Sequence, residues 1–271
     1  MRALLVATAL LVAGCGKSAP PPPGAGPRVV SLTPSATEVV AALGATAALV
    51  GVDDYSKFPP EVTALPKVGS FTSPNLEVIV SLKPTLVIVD DIHGKVAGAL
   101  HDAGIPTVEC AIHALGDVEA ALRTIGGKLG KAPEAEGVIA GIESAVATAR
   151  AKRPAKRPRV LAIIDREAGG LGNLVAAGPG SYVDELLAIV GADNVLLASG
   201  VRYPKISLEE VLRGQPEIIL DLSQASGDLA PWQQVDVPAV RDHRVRALPS
   251  FVSRPSPRIE EALGLLEAAL H

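Results

Sequence analysis

Few residues of this chain are spaced for catalysis. Ser181 follows Gly178-Pro179-Gly180 but lacks a flanking glycine on its far side, so the turn is no nucleophile elbow. Gly169-Gly170-Leu171-Gly172 is glycine-rich, yet Asp165-Arg166-Glu167 separate it from the strand before it, which argues against a phosphate loop. His93, His101, His113 and His243 are scattered, and no CxxC or HExxH spacing occurs, so neither a metal centre nor a cofactor is expected. His93 stands apart, because it follows a strand whose carboxyl end should face a cleft. With no triad, metal motif or phosphate loop, the chain reads as a non-enzyme; an exported α/β enzyme is the remote alternative. Binding chemistry remains. The three Phe, three Tyr and one Trp all fall in loops or at helix starts by this reading. A ring covers about 150 Å² or more, so Tyr55, Phe71 and Tyr203 near strand ends would suit a large planar ligand.

The elements that must position these rings alternate. Arg28–Leu32 reads as a strand, Thr33-Pro34 opens a helix, and Ala48–Val52 is a second strand. A long loop, 53–73, carries Tyr55 and Phe71. Asn75 caps a short helix, and Thr85–Val89 is a buried strand. A helix over 92–103, a strand over 106–110 and a helix capped by Asp117 follow. Ala132–Arg153 then reads as one long helix with an apolar stripe at Ala135, Val138, Ile139, Ile142, Val146 and Ala149. At 1.5 Å per residue it spans roughly 30 Å, the width of a small domain. Beyond it lie a strand over 159–164, helices capped by Ser181 and Ser207, strands over 217–222 and 245–248, and a closing helix over 257–270. Strands alternating with helices on both sides of one long helix predict two α/β lobes with parallel-type sheets, joined by a rigid interdomain helix.

An internal repeat supports two related lobes. Residues 75–88 align without a gap on 207–220, both reading cap, Leu, Glu, apolar turns, Pro, buried strand. Glu77 and Glu209 thereby occupy equivalent first-turn positions, one per lobe, where each also complements its helix dipole.

Composition excludes other classes. Hydrophobic residues make up 48% of the 271, enough for a sizeable core, and 25 basic residues mixed with 29 acidic ones leave no nucleic-acid footprint. The two cysteines, Cys15 and Cys110, imply no disulfide framework, and Cys110 reads as an inert buried thiol. Residues 3–14 are an apolar run too short to span a bilayer, ending in Val12-Ala13-Gly14-Cys15. That end resembles a bacterial lipobox, which implies cleavage after residue 14 and lipidation of Cys15. Residues 15–27, with Pro20-Pro21-Pro22-Pro23, then form a tether of on the order of 35 Å. The expected layout is 1–14 signal peptide, 15–27 tether, 28–131 first lobe, 132–153 helix and 154–271 second lobe.

Several spaced motifs resemble one family. They are Arg28-Val29-Val30-Ser31-Leu32-Thr33-Pro34-Ser35-Ala36-Thr37-Glu38, Gly51-Val52-Asp53-Asp54-Tyr55, Asn75-Leu76-Glu77 with Leu82-Lys83-Pro84, Ala177-Gly178-Pro179-Gly180-Ser181, Ser207-Leu208-Glu209 and Ser253-Arg254-Pro255-Ser256-Pro257-Arg258. They are similar to the periplasmic binding proteins of ABC importers for vitamin B12, haem and iron-siderophores, over the whole chain from about Arg28. The resemblance implies a ligand held between two lobes, with Tyr55, Phe71, Asp90, Tyr203 and Arg254 at cleft positions. It is nearest the vitamin B12-binding branch, although Phe71, Tyr203 and Asp90 stand where that branch carries Trp. Phe71 cannot ligate iron, which disfavours haem; Arg202, Arg254 and Arg258 keep a ferric siderophore open. The resemblance further implies that Glu77 and Glu209 dock on a two-fold symmetric permease dimer. A monomer is expected, exported and held at a membrane by its lipid. Cys15→Ser should release the protein from membranes and leave its fold intact, as fractionation and mass analysis of residue 15 would detect.

Overall fold

The computed structural model describes residues 26–270. The expected signal peptide, Cys15 and nearly all of the tether lie outside the described residues. The first sheet begins with β1 (Val29–Ser31). Thr33 ends the turn after it by accepting the Ala36 amide at 3.1 Å, and Pro34 takes the first position of α1 (Pro34–Ala42). Next come β2 (Leu49–Val52), a tight hairpin of β3 (Gly69–Ser70) and β4 (Ser73–Pro74), and α2 (Leu76–Ser81) under its Asn75 cap. β5 (Leu86–Val89), α3 (Gly94–Asp102), β6 (Thr107–Glu109) and α4 (Leu115–Leu129) complete this half. The four longer strands form a parallel sheet in the order β2-β1-β5-β6.

α5 (Ala132–Ala151) then leads to the second sheet. Its elements are β7 (Arg159–Asp165), β8 (Val175–Ala176), α6 (Tyr182–Val190), β9 (Asp193–Asn194), α7 (Leu208–Gly214), β10 (Ile218–Asp221), α8 (Pro238–Arg241), β11 (Val245–Ala247) and α9 (Ile259–Leu270). The order is β11-β10-β7-β8, with β9 also paired to β7. This is the predicted pair of α/β lobes, with departures: the short β3–β4 hairpin is antiparallel, β8 and β9 are added strands, and β8 runs antiparallel to β7. The chain returns on itself directly through residues 166–174, and such a return needs no crossover helix.

Other boundaries also moved. α4 starts at Leu115, and Asp117 sits inside its first turn. The Asp117 carboxylate reaches back to accept the Ala114 and His113 amides at 2.9 and 3.0 Å, because Ala114 carries no acceptor of its own. The helix expected from Ile92 opens as a 3-10 turn over Asp91–His93 and becomes α-helical at Gly94. Tyr182 and Trp232 share the loop and helix-start placement expected of the aromatics, yet both are core residues, each 1% exposed.

The repeat holds in detail. α2 and α7 carry side-chain caps at Asn75 and Ser207, and β5 and β10 follow at the same spacing. Between helix and strand, Lys83 and Gln215 take the same uncommon positive φ, +47° and +41°.

α5 buries Ala135, Ile139, Ile142, Val146 and Ala149, while Val138 is half-buried. The helix packs on α4 of the first half and on α6 and α9 of the second, so one apolar core runs continuously from Val39 and Leu43 to Leu186 and Leu266. Among the described residues no helix is long and apolar enough to cross a membrane. A continuous core resists hinge motion, since dense interiors do not deform smoothly. Scattering profiles with and without ligand should therefore differ by no more than about a few degrees of lobe rotation.

Candidate functional site: the cleft at the strand ends

In each sheet the parallel strands end on one edge, and the loops leaving those edges carry the predicted site residues. After β2, Asp53 accepts the Tyr55 amide at 2.9 Å and the Ser56 hydroxyl. Burial pushes the Asp53 carboxyl up, against the pull of those bonds and of Lys67 and Arg254. The turn it holds leaves Tyr55 59% exposed.

Phe71 lies at the β3–β4 hairpin, and His93 fixes it there. The His93 Nε2 is 2.6 Å from the Phe71 carbonyl, and Nδ1 accepts the Asp90 amide at 3.0 Å. This pattern specifies a ring with its proton on Nε2. The two rings meet edge to face with centroids 5.5 Å apart. Both nitrogens of buried His93 are thus used, and it acts as a positioning residue for Phe71.

Asp90 leaves β5 with a buried carboxylate beside exposed Asp91. His113, from the loop after β6, brings Nε2 to 3.3 Å from Asp91 and 4.0 Å from Asp90. Burial, then the Asp91 carboxyl beside it, pushes Asp90 up to about 6, with His113 opposing. Asp91, hydrogen-bonded to Asp90 and near His113, is held below its usual range. Cys110 is buried and its thiol is pushed up to about 11, chiefly by burial, as an inert thiol should be.

In the second lobe Tyr203 is 41% exposed. Its loop lies against Gly178, whose amide donates to the Arg202 carbonyl at 2.8 Å. A Cβ at Gly178 would stand 2.0 Å from the Val201 carbonyl oxygen, so only glycine permits this approach. Arg254 is less free than predicted. Its Nη2 donates to Glu38 of α1 at 2.8 Å, joining the lobes, and Glu38 is 3% exposed. A second crossing bond runs from the Leu115 amide, at the α4 start, to Glu185 of α6 at 2.9 Å. Arg258 lies 4.2 Å from the Phe58 centroid and 3.6 Å from that of Phe251, a cation–π sandwich. The glycine-rich loop is structural: Arg166 donates to the Gly170 carbonyl at 2.9 Å and to Asp221 at 2.6 Å. Glu77 and Glu209 are exposed in the first turns of α2 and α7.

A model described as periplasmic binding protein matches residues 29–250. The chain belongs to that family. Among curated relatives, the vitamin B12-binding protein of Vibrio parahaemolyticus is 26% identical over 242 residues, 87% of this chain and 86% of the relative. That of Pectobacterium atrosepticum is 28% identical over 237 residues, 86% and 84% of the two chains. Among solved structures, the apo periplasmic haem-binding protein of Roseiflexus sp. RS-1 has a TM-score of 0.80 and 30% identity, covering 90% of this chain and 98% of its own. The periplasmic vitamin B12-binding protein of Vibrio cholerae has a TM-score of 0.69 and 26% identity, covering 90% and 96%. The family places this chain among substrate-binding components of ABC importers.

In this periplasmic binding protein, sequence reasoning did not single out Glu38 or Asp91 and read His113 only as one of four scattered histidines. Only Asp91, adjacent to Asp90, left a visible signal. A carboxyl raised in the folded state binds its proton more tightly there than in the unfolded chain. Asp90 therefore costs stability above about pH 6, and the cost fades as pH falls towards the ordinary 3.8. Asp90→Asn should raise the Tm by a few degrees at pH 7 and flatten its pH dependence between those values, as thermal melts across that range would measure.

Proposed function

We propose that this periplasmic binding protein holds a corrinoid between its lobes and delivers it to the two-fold symmetric permease of an ABC importer, tethered through lipid on Cys15 and working as a monomer. The working division is 28–131 for the first lobe, 132–153 for the joining helix and 154–271 for the second lobe. The observation that carries the ligand reading is the set of partly exposed rings at the strand ends: Tyr55 and Phe71 in one lobe, Tyr203 in the other. Such rings suit the faces of a broad macrocycle, and relatives named for vitamin B12 match almost end to end. A ferric siderophore is less suited. Anionic complexes need several free guanidinium groups, and of the three arginines in view Arg254 and Arg258 are already engaged by Glu38 and by two aromatic faces, which leaves exposed Arg202. Haem is the second reading, favoured by the fit to the Roseiflexus protein.

The absorption spectrum of protein purified from cells fed cobalamin, haem and iron separates these. A corrinoid spectrum is expected; a Soret band or a ferric-complex band would replace the reading. Alanine at Tyr55, Phe71 or Tyr203 should each weaken ligand binding by about 1–3 kcal/mol with little loss of stability, by calorimetric titration and melting. Unchanged isotherms for all three would mean that the rings only pin loops.

Docking is read from the repeat. Two glutamates at equivalent helix starts match a symmetric pair of cationic pockets, and such rim charges set on-rate and register. Glu77→Lys with Glu209→Lys should abolish uptake while ligand affinity stays unchanged. Each loses a dipole contact of roughly 0.3–1 kcal/mol, too little to unfold the protein. Normal uptake by the double variant would reduce both residues to helix-start anions.

A further inference from the structure

We propose that Asp90, Asp91 and His113 form a binding site for a divalent first-row transition-metal ion in the cleft, independent of which large ligand the cleft carries. The sequence has no metal motif because the site is made by sheet topology. β5 and β6 are parallel neighbours in register at Val89 and Glu109, so residues 90–91 and the loop to His113 leave the same edge side by side. One donor atom from each of the three residues lies within 4.8 Å of the others.

The spacing fits an ion. Metal–ligand bonds of about 2.0–2.1 Å in a tetrahedral site put neighbouring donors roughly 3.3–3.4 Å apart. The His113 Nε2 is 3.4 and 3.3 Å from the two Asp91 oxygens and 4.0 Å from Asp90 Oδ1. A shift of a few tenths of an ångström would bring all three into one coordination sphere, and water would fill what remains.

A second observation is the state of Asp90 itself. Its side chain is 6% exposed; its carboxylate takes a long bond from the Ile92 amide at 3.5 Å and otherwise lies against the Asp91 carboxyl, with His113 Nε2 4.0 Å away. Two carboxyl groups in contact, one of them buried, are costly to ionise together. A divalent ion between them and the imidazole would balance both charges. Backbone bonds already hold the donors. The His113 amide is fixed by Asp117 at 3.0 Å and the Asp90 amide by His93 at 3.0 Å. Two carboxylates with one imidazole favour zinc-like borderline ions over magnesium or calcium, which prefer oxygen alone. Cys110 is no competing ligand, because it stands outside the cluster and its thiol stays protonated.

The test titrates untagged full chain, stripped with EDTA, with zinc chloride in a calorimeter and with cobalt chloride by visible absorption. One ion per chain is expected, with affinity falling at least tenfold in Asp91→Asn and in His113→Ala. Asp91→Asn is isosteric and exposed, so its fold is secure even if His113→Ala misfolds. A double variant, His101→Ala with His243→Ala, should bind as the wild type does. No saturable one-equivalent binding, unchanged affinity in Asp91→Asn, or binding lost in the double variant or in Cys15→Ser would each overturn the site.

Discussion

The buried stripe of α5 is the constraint on which the rest depends. Ala135, Ile139, Ile142, Val146 and Ala149 belong to a core shared by both sheets. The helix therefore acts less as a free strut than as the middle layer of one packed body. Moving the lobes apart would expose that layer to water, at roughly 25 cal/mol for each Å² of apolar surface. The relative placement of the two strand-end edges is consequently set before any ligand arrives. A ligand bound between lobes so fixed would spend little binding free energy on ordering them, and its affinity would depend on what the two edges offer.

The seam between the lobes is strained electrostatically. Glu38 and Arg254 form an ion pair that spans the lobes, but the second carboxylate oxygen of Glu38 and the Nε of Arg254 are buried without hydrogen-bond partners among the described residues. A buried pair is a poor source of net stability when its remaining polar atoms are unsatisfied. Its value here is geometric: it fixes Arg254 against α1, where its charge also opposes the upward shift of Asp53. Arg258 is held separately, between Phe58 and Phe251. Two cations that look available for an anionic ligand are thus part of the frame.

Local signals made most of the fold legible. Caps at Thr33, Asn75, Ser181 and Ser207, the glycine stop at Gly191 and the α5 stripe all act through neighbouring residues, and each element formed where they point. Tyr182 and Trp232 show where local reading ends. Both sit at helix starts, like surface aromatics, but the Trp232 indole donates to buried Asp221 at 3.0 Å. A polar partner 11 residues away, itself held by Arg166, decides that burial. Glu38 and His113 were hidden for the same reason. Glu38 finds its partner 216 residues later, and His113 meets Asp91 only because β5 and β6 are adjacent.

The two halves repeat on the outside and differ on the inside. Their matched segments share caps, first-turn glutamates and the positive-φ turn at Lys83 and Gln215. At the strand ends the match breaks. β5 opens onto Asp90, Asp91 and His113, whereas β10 ends in Asp221, which Arg166, Trp232 and Ser223 satisfy completely within the lobe. One floor offers charge to the cleft and the other has consumed it. That division follows from what each surface must meet. A pair of equivalent helix starts can serve a partner with two-fold symmetry, as the proposed permease has. A small ligand has two unlike faces, so the walls that grip it have no reason to stay alike.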